Sequence, residues 1–388
     1  MGFENQLIVT VLLSLLVALI VSFLMTPVVK TFAYKVGAID VPKDNRRMHK
    51  TPIPRLGGLA IFIGFMVAIL LFGEITRQMQ GILLGAVIIV VLGVVDDITP
   101  LPAKLKFVVQ ILAALIPVSH GVVIQALSNP NLFSDSAYWV LGPLGIPITV
   151  LWIVAVTNSV NLIDGLDGLA NGVSAISATT MLVIALLVSE SQVAITMAAL
   201  VGACVGFMPY NMNPAKMFMG DTGATFLGFI LATMSIQGLF KFYAIISFVV
   251  PFLILGLPIF DTTFAFVRRI ANGQSPMQAD RSHIHHRLID MGLNQKQAVA
   301  TLYVISAILG LSAVVLTTSG EVKAMMLFVA LCVVAGVAAR VVFPREIRDE
   351  ISAELKELTH HTAEDMPSAA EDMSVPEGSG EKGGAHNE

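Results

Sequence analysis

The amino-acid sequence predicts an all-α fold, a polytopic transmembrane bundle of about eleven helices with its N-terminus outside and its C-terminus in the cytoplasm. Hydrophobic residues make up 55% of the 388-residue chain, and the mean hydropathy is +0.81. Apolar runs of about 20 residues recur along the chain and match the ~30 Å hydrocarbon thickness of a bilayer. Lys and Arg concentrate on one side of the resulting bundle. These features exclude a soluble globular domain.

The first predicted helix covers residues 7–29. We expect it to remain in the mature chain, because the segment before it has Glu4 and no Lys or Arg, and no small-residue cleavage site follows. Ten further stretches are predicted to span the membrane, although the third and fifth of the eleven are short. They cover residues 57–73, 81–95, 107–123, 146–160, 169–188, 193–210, 222–239, 243–260, 298–316 and 324–343.

The distribution of basic residues tests this count independently. With the N-terminus outside, only Arg77, Lys241 and Lys323 of the 23 basic residues lie outside, which leaves 20 in the cytoplasm. Cytoplasmic loops of membrane proteins carry such an excess of Lys and Arg. One missed or additional span before the middle of the chain would scramble the bias, so an odd number of spans is predicted.

Two domains are predicted. Residues 1–343 form the membrane domain, and Cys204 and Cys332 both fall inside its spans, so no disulfide framework is indicated. Residues 344–388 carry twelve acidic residues against four Lys or Arg and end in PEGSGEKGGAHNE. This composition is typical of a largely disordered cytoplasmic tail.

Five polar clusters interrupt the apolar sequence, and the predicted topology places all of them on the cytoplasmic side. They are PRLGG (54–58), VVDD (94–97), NLIDGLDG (161–168), NMNPAKMFMGDTG (211–223) and DRSHIHHR (280–287). Because each begins or ends at a predicted helix terminus, the clusters can converge on one site at the membrane surface. That convergence is the main functional signal in the sequence.

Acidic residues and amides dominate three of these clusters. Asp96 and Asp97 end an apolar helix, which is either a solvated helix end or a site, since the macrodipole disfavours acids at a helix C-terminus. Asp164 and Asp167 are three residues apart and share a face if helical, but Gly165 and Gly168 favour a sharp reversal. The amides Asn158, Asn161 and Asn171 surround the pair. A purely structural turn needs neither two acids nor three amides.

The last two clusters combine an acid with cationic residues. Asp221 begins a helix in GDTG, where it fits an N-cap and also a cation site beside an anion-binding helix terminus. His283, His285 and His286 lie beside Arg281 and Arg287, which favours a phosphate clamp over a zinc site, because HxHH lacks a partner Cys and the HExxH arrangement. With Lys104 and Lys106 on the same side, hard oxygen ligands for Mg²⁺ or Mn²⁺ and cations for a diphosphate predict phosphoryl transfer.

The ordered motifs PRLGGLAIF, DD, NxxNxxDGxDGLA, FMGDTG and HIHHR resemble those of the polyprenyl-phosphate N-acetylhexosamine-1-phosphate transferases along residues 7–343. HIHHR and KTPIPRLGG are similar to the WecA and TagO branch rather than to MraY, because Ile284 interrupts the run of three histidines that MraY carries. MraY also has a lysine where this chain has Pro100. The resemblance implies transfer of GlcNAc-1-phosphate from UDP-GlcNAc to undecaprenyl phosphate, giving undecaprenyl-diphosphate-GlcNAc and UMP. Such a product initiates cell-envelope polysaccharide or teichoic acid synthesis in the bacterial cytoplasmic membrane.

The resemblance also implies roles for individual residues. Asp221 would be the chief Mg²⁺ ligand with Asn161 beside it, and Mn²⁺ is an alternative metal. Asp167, Phe218 and Asn211 would line the uridine pocket, with Asn158 a further substrate-binding candidate. Asp96 and Asp97 would serve the lipid phosphate, Asp96 as general base, while Lys106 contacts phosphate. The diphosphate or sugar would be held by His283, His285, His286 and Arg287. Asp164 is a further catalytic candidate.

Several alternatives stay open at this stage. Attack on the β-phosphorus in one step fits the absence of a nucleophilic Ser or Cys in the motifs, and a covalent aspartyl phosphate is the competing mechanism. An MraY-type reaction on UDP-MurNAc-pentapeptide is the closer alternative activity. An ion-coupled transporter is the remote one, since transporter sites lie near the bilayer midplane between repeats. The expected partners are the two substrates and the lipid bilayer, with a homodimer left open and no nucleic acid.

Overall fold

The apolar stretches of the sequence form long helices in the structure, a computed structural model that describes residues 3–42, 51–128, 138–238, 249–271, 283–319 and 329. The helices within these residues are α1 (Phe3–Val36), α2 (Gly57–Phe72), α3 (Arg77–Ile98), α4 (Ala103–Ser119), α5 (Gly145–Leu162), α6 (Leu169–Leu187), α7 (Ser191–Asn211), α8 (Gly220–Gly238), α9 (Val249–Ile254), α10 (Gly256–Ala271), α11 (Ile284–Asp290) and α12 (Gln295–Ser319). An all-α polytopic membrane protein is therefore confirmed.

Six of these helices are long and apolar enough to cross a membrane: α1, α3, α6, α7, α12, and α5 together with the 3₁₀ turn before it. The first eight predicted spans coincide with α1 to α8, and the tenth coincides with α12. The total number of spans and the orientation of the termini stay predictions. The eleventh span, apart from Val329, and the acidic tail lie outside the described residues.

In the described part of the predicted span over residues 243–260, the helix is interrupted at Leu255, since α9 ends at Ile254 and α10 begins at Gly256. The single span stays a prediction. Pro258 explains the break. Proline has no backbone N–H, and its ring clashes with the carbonyl four residues earlier, which here belongs to Ile254. The second helix then continues past the predicted end to Ala271, with Arg268 and Arg269 in its last turn.

Buried hydroxyl groups and small residues let the helices pack closely. Ser22 of α1 donates to the carbonyl of Ala203 in α7 (Oγ to O, 2.8 Å), and Ser14 donates to Ile195 at 3.2 Å. Small residues at helix contacts, and hydroxyls that bond across them, are the usual means of association in lipid. The opposite face of α1 exposes large apolar side chains such as Leu12 and Leu16, as a lipid-facing helix does.

Two short hairpins accompany the bundle. Strand β1 (Ile39–Asp40) pairs antiparallel with β2 (Ile53–Pro54), and β3 (Ala126–Ser128) pairs with β4 (Tyr138–Val140). The first hairpin matters for the site, because the backbone N–H of Phe218 donates to the carbonyl of Pro54 at 2.9 Å. The N–H of Gly57 donates in turn to the carbonyl of Phe218, also at 2.9 Å. These bonds attach the segment before α8 to the segment before α2.

Candidate active site

One pocket of about 550 Å³ lies where the predicted polar clusters meet. Its walls come from the C-terminal ends of α5 and α7, the loop between α5 and α6, the N-terminal end of α8, the β1–β2 hairpin, and the N-terminal parts of α11 and α12. The predicted site residues that line it are Asn161, Asp164, Asp167, Asn211, Phe218, Asp221 and His286. Four of the five predicted clusters therefore supply pocket-lining residues.

Asp97, at the end of α3, is a buried acid, and each of its two carboxylate oxygens accepts two hydrogen bonds. Its Oδ2 accepts from the backbone N–H of Thr222 at 3.0 Å and from the Thr222 hydroxyl at 2.7 Å. Its Oδ1 accepts from the backbone N–H of Asp221 and from Arg55 Nε, both at 3.0 Å. Asp97 thus caps the N-terminus of α8 from another helix, because carboxylates satisfy the free N–H groups there.

The turn that begins α8 requires a glycine. Gly220 has a φ of +71°, and a Cβ at this position would meet the carboxylate of Asp97 and lie 2.6 Å from the carbonyl oxygen of Arg55. A side chain would therefore be strained by the backbone conformation and would also have no space. The glycine of GDTG is what allows Asp97 to approach the helix terminus.

Lys106 joins the two other acids of this region. Its Nζ lies 2.9 Å from Asp96 Oδ2 and 2.9 Å from Asp221 Oδ2, and these contacts link α4, α3 and α8. The second oxygen of Asp96 accepts from the backbone N–H of Leu101 at 2.7 Å. Asp221 is the more accessible acid, with 24% of its side chain exposed against 7% for Asp96.

Asp164 differs from these acids in its surroundings. It lines the pocket in the loop of residues 163–168, named here the acid loop, and its carboxylate has no hydrogen-bond partner among the described residues. Burial raises the pKa of Asp164 to about 8, and the negative charges of Asp221 and Asp97 add to this effect. An acid in this environment favours either a proton or a bound cation.

Asp167, in the same loop, organises the neighbouring wall of the pocket. Its Oδ2 accepts from Asn213 Nδ2 at 2.9 Å and from the backbone N–H of Ala215 at 3.0 Å. Asn213 Nδ2 also donates to Gln295 Oε1 of α12 at 2.6 Å. Asn211 donates to the carbonyl of Met217 at 3.1 Å and is 2% exposed. These bonds hold the segment that presents Phe218 to the pocket.

The three histidines have different surroundings. His283 is 5% exposed and bonds through Nδ1 to Asp261 Oδ2 at 2.9 Å. His285 is 2% exposed and lies against Gly165, where a Cβ would meet its ring. Burial lowers the pKa of His285 to about 4, so this ring is neutral at pH 7. His286 is the one of these three histidines that lines the pocket.

Arg55 is a site residue that the sequence analysis did not single out. Its guanidinium lies 2.9 Å from Asp97 Oδ1 and 3.9 Å from Asp221 Oδ1, and the side chain lines the pocket with 29% of its surface exposed. Among the described lining residues it is the one Lys or Arg. Its position in the PRLGG cluster was a signal, since a basic residue there precedes a helix terminus.

Seven predicted residues do not line the pocket. Asn158 donates to Gln110 Oε1 of α4 at 2.6 Å and to the carbonyl of Val154 at 2.8 Å, which places it within the helix contacts. Asp97 and Lys106 do not line the pocket but bond Asp221, which does. Asp96 bonds Lys106. The remaining three are His283, His285 and Arg287.

Oxygen donors suited to a hard divalent cation are present in the pocket. No group of three or more His, Cys, Asp or Glu side chains in the described part of the chain is arranged to hold a metal ion by itself. Asn161, Asp164 and Asp221 nevertheless line one pocket, and the carboxylate of Asp164 lacks a partner there among the described residues. Mg²⁺ is commonly held by one or two carboxylates together with substrate phosphates, so this donor set fits it.

Comparison with known proteins gives a consistent result. Residues 79–239 match the profile described as glycosyl transferase family 4. Over 316 residues the chain is 43% identical to a probable undecaprenyl-phosphate N-acetylglucosaminyl 1-phosphate transferase of Bacillus subtilis, which covers 81% of this chain and 87% of the relative.

Two further relatives are more distant. A decaprenyl-phosphate N-acetylglucosaminephosphotransferase of Mycobacterium tuberculosis is 32% identical over 358 residues, with 83% of this chain and 86% of the relative covered. An undecaprenyl-phosphate alpha-N-acetylglucosaminyl 1-phosphate transferase of Yersinia pestis is 29% identical over 297 residues, with 74% and 79% covered.

Proposed function

This chain belongs to glycosyl transferase family 4, and from that premise we propose that it transfers GlcNAc-1-phosphate from UDP-GlcNAc to undecaprenyl phosphate. The names of the relatives support both the sugar and the polyprenyl acceptor. The observation that carries the proposal is the pocket itself, where Asp164, Asp221 and Asn161 lie together with Arg55 and His286. Oxygen ligands for a cation and positive side chains for phosphate are what phosphoryl transfer needs.

The reaction is a single displacement. An oxygen of undecaprenyl phosphate attacks the β-phosphorus of UDP-GlcNAc, which forms the new diphosphate bond. The bond between the bridging oxygen and the β-phosphorus breaks, and UMP leaves with that oxygen. The products are undecaprenyl-diphosphate-GlcNAc and UMP. The acceptor phosphate has a second pKa near 6 and is therefore mostly dianionic at pH 7, so alignment matters more than deprotonation.

Asp221 and Asn161 would hold Mg²⁺, with Mn²⁺ as the alternative, and Asp164 faces the same pocket. A bound divalent cation supplies neutralisation of the charge that spreads over the diphosphate. Arg55 supplies positive charge, and Arg55 and His286 both supply hydrogen-bond donors from the chain itself. A cation would also keep Asp164 ionised, because opposite charge offsets the effect of burial on its pKa.

The nucleotide and the lipid phosphate occupy different parts of this region. We assign the uridine to the wall formed by Asp167, Asn211 and Phe218, since an aromatic ring beside fixed polar groups suits a flat, polar base. Lys106, between Asp96 and Asp221, is the cation closest to both acids and orients the acceptor phosphate. Asp97 has its oxygens committed to α8 and Arg55, so its contribution is to hold the site together.

The site faces the cytoplasm of a bacterial cell in this proposal, where UDP-GlcNAc is available, and the product begins a cell-envelope polysaccharide or teichoic acid. The excess of cytoplasmic Lys and Arg supports this orientation. An impermeant thiol reagent should label a cysteine introduced at Ser128 from outside the cell and should not label one at Ser275. The opposite labelling pattern would place the pocket on the outer side and contradict the proposal.

Purified protein incubated with undecaprenyl phosphate, Mg²⁺ and a panel of UDP-sugars tests the activity, with UMP release as the readout. We expect release from UDP-GlcNAc, dependence on added Mg²⁺, and none from UDP-MurNAc-pentapeptide. An Asp221→Asn variant is the matched control, because it keeps the size of the side chain but removes a charged ligand. UMP release by that variant at the parent rate in saturating Mg²⁺ would contradict the metal assignment, and no release by the parent would contradict the activity.

A further inference from the structure

A buried carboxylate outside the pocket has no role in the reaction described above. Asp261 lies in the second turn of α10 and is 3% exposed. Burial of an ionised carboxylate is costly unless hydrogen bonds or opposite charge compensate, so the contacts of Asp261 identify what it stabilises. Both of its oxygens bond to α11 and the residue before that helix.

The two contacts have different functions. Asp261 Oδ1 accepts from the backbone N–H of Ile284 at 2.8 Å, at the first residue of α11. His283 occupies the N-cap position but makes no capping bond with its own side chain. Asp261 therefore supplies the missing acceptor from another helix. A helix of seven residues is too short to be stable alone, so α11 depends on such external contacts.

The second contact orients an imidazole. Asp261 Oδ2 lies 2.9 Å from His283 Nδ1, and a carboxylate can only accept a hydrogen bond. Nδ1 of His283 must therefore carry the proton of this bond, which fixes both the orientation and the tautomer of a neutral ring. The ring is thereby held in one place at the beginning of α11.

A row of three imidazoles extends from this ring to the pocket. The His283 and His285 rings are nearly parallel, with 5.9 Å between centroids and an interplanar angle of 9°. His285 and His286 follow at 4.3 Å and 42°. His286 lines the pocket, and His285 lies against Gly165 of the acid loop. Movement of His283 would therefore change the position of His286 in the pocket.

We infer that Asp261 is a positioning residue that places His286 at the diphosphate by anchoring His283 and the N-terminus of α11. The inference rests on the proposed function, because that function supplies the diphosphate that His286 would contact in the pocket. Asp261 itself touches no substrate. Its effect on turnover passes entirely through the histidine row.

A double-mutant cycle between Asp261→Asn and His286→Ala tests this path. Asn keeps an acceptor for the N–H of Ile284 but brings an amide donor and no charge to His283. We expect Asp261→Asn alone to lower kcat/KM for UDP-GlcNAc on the order of tenfold to a hundredfold. In the His286→Ala background, it should lower the value less than about threefold further, because the positioned group is absent. Independent effects that multiply would overturn the inference.

Asp290→Asn is the matched control, since it makes the same chemical change on an exposed side chain at the end of α11. It should leave kcat/KM unchanged, and an equal loss in both variants would overturn the inference. If Asp261→Asn fails to fold, His283→Asn and His283→Ala replace it. The Asn amide can still donate to Asp261, so His283→Asn should retain more activity than His283→Ala, and equal losses would contradict anchoring.

Hydrogen exchange separates this inference from the proposed function. Asp261→Asn should speed amide exchange in α11 while leaving α6 unchanged. Unchanged exchange in α11 would overturn the anchoring role even if the parent protein releases UMP. Conversely, a parent protein without UMP release would contradict the proposed function, while faster exchange in α11 would still support the anchor.

Discussion

Asp97 and Asp164 have the same side chain, lie at the same end of the bundle and come from equally acidic motifs, yet their surroundings differ completely. Asp97 accepts from Arg55, from the N–H groups of Asp221 and Thr222, and from the Thr222 hydroxyl. Asp164 accepts no side-chain or backbone hydrogen bond among the described residues, and its pKa is raised to about 8. The difference favours a structural role for the end of α3 and supports the proposal that the acid loop binds the ligand.

The activity of an Asp164→Asn variant is the most direct test of the ligand-binding half. We expect kcat/KM for UDP-GlcNAc to fall on the order of a thousandfold, because stabilisation of transition-state charge at a metal site is worth several kcal/mol. Thermal unfolding should show no loss of stability, since the carboxylate has no protein hydrogen bond to lose among the described residues. Turnover close to that of the parent would contradict a ligand role for Asp164.

Replacement of the structural acid should have the opposite pattern. Asp97→Ala removes the partner of Arg55 and leaves the N–H groups of Asp221 and Thr222 without acceptors. We expect the free energy of unfolding to fall by about 3 kcal/mol, the low end for a broken buried pair, because Arg55 is partly exposed. Chemical or thermal unfolding in detergent measures the loss. A variant with parental stability and impaired turnover would instead show that Asp97 contacts substrate.

The helices and the convergence of the loops could be predicted from the sequence, because long apolar runs and the distribution of basic residues reflect the bilayer and can be recognised without knowledge of tertiary contacts. These sequence patterns could not distinguish the role of Asp97 from that of Asp164. Both follow apolar helices, and only the packing of α8 against α3 shows which of them meets donors. Arg55 was missed for a similar reason, since its partners lie 42 and 166 positions away in the chain.

The sequence also could not show which histidine of the cluster lines the pocket. HIHHR predicts phosphate contacts for the cluster as a whole, but neighbouring residues on a helix point in different directions. His286 lines the pocket while His285 contacts the acid loop. Asn158 likewise bonds Gln110 rather than lining the pocket. Which side chain reaches the ligand depends on the placement of α11. The anchor for that placement, Asp261, lies just after the predicted span over residues 243–260 and in none of the five polar clusters.

The pH dependence of stability offers a second way to separate the two acids. The folded-state pKa of Asp164 is about 8 and its unfolded value is near 4, so between these values the folded protein binds the proton more tightly. Stability without divalent metal should therefore fall as pH rises from 5 to 8, by at most about 1.4 kcal/mol per pH unit. Asp164→Asn should lack this component. Identical pH profiles in EDTA would show that Asp164 does not titrate in this range.

The smallest expected effect concerns the contact between the acid loop and the histidine row. A Cβ at Gly165 would meet Nε2 of His285 and lie 2.9 and 3.0 Å from two carbons of the same ring. Because His285 is buried, the ring cannot move into solvent, and the acid loop must shift instead. We expect Gly165→Ala to cost about 1 kcal/mol of stability, as modest overpacking does, and to lower kcat/KM about tenfold by displacing Asp164.

Removal of the opposing ring tests whether this contact is the cause. His285→Ala vacates the space that the new methyl group needs, so Gly165→Ala should have almost no further effect on kcat/KM in that background. The comparison is made against His285→Ala alone, which has its own loss from the cavity that it opens. If Gly165→Ala lowers kcat/KM equally with and without the His285 ring, the loop is sensitive to backbone restriction at residue 165. The acid loop would then be placed by its own turn rather than by α11.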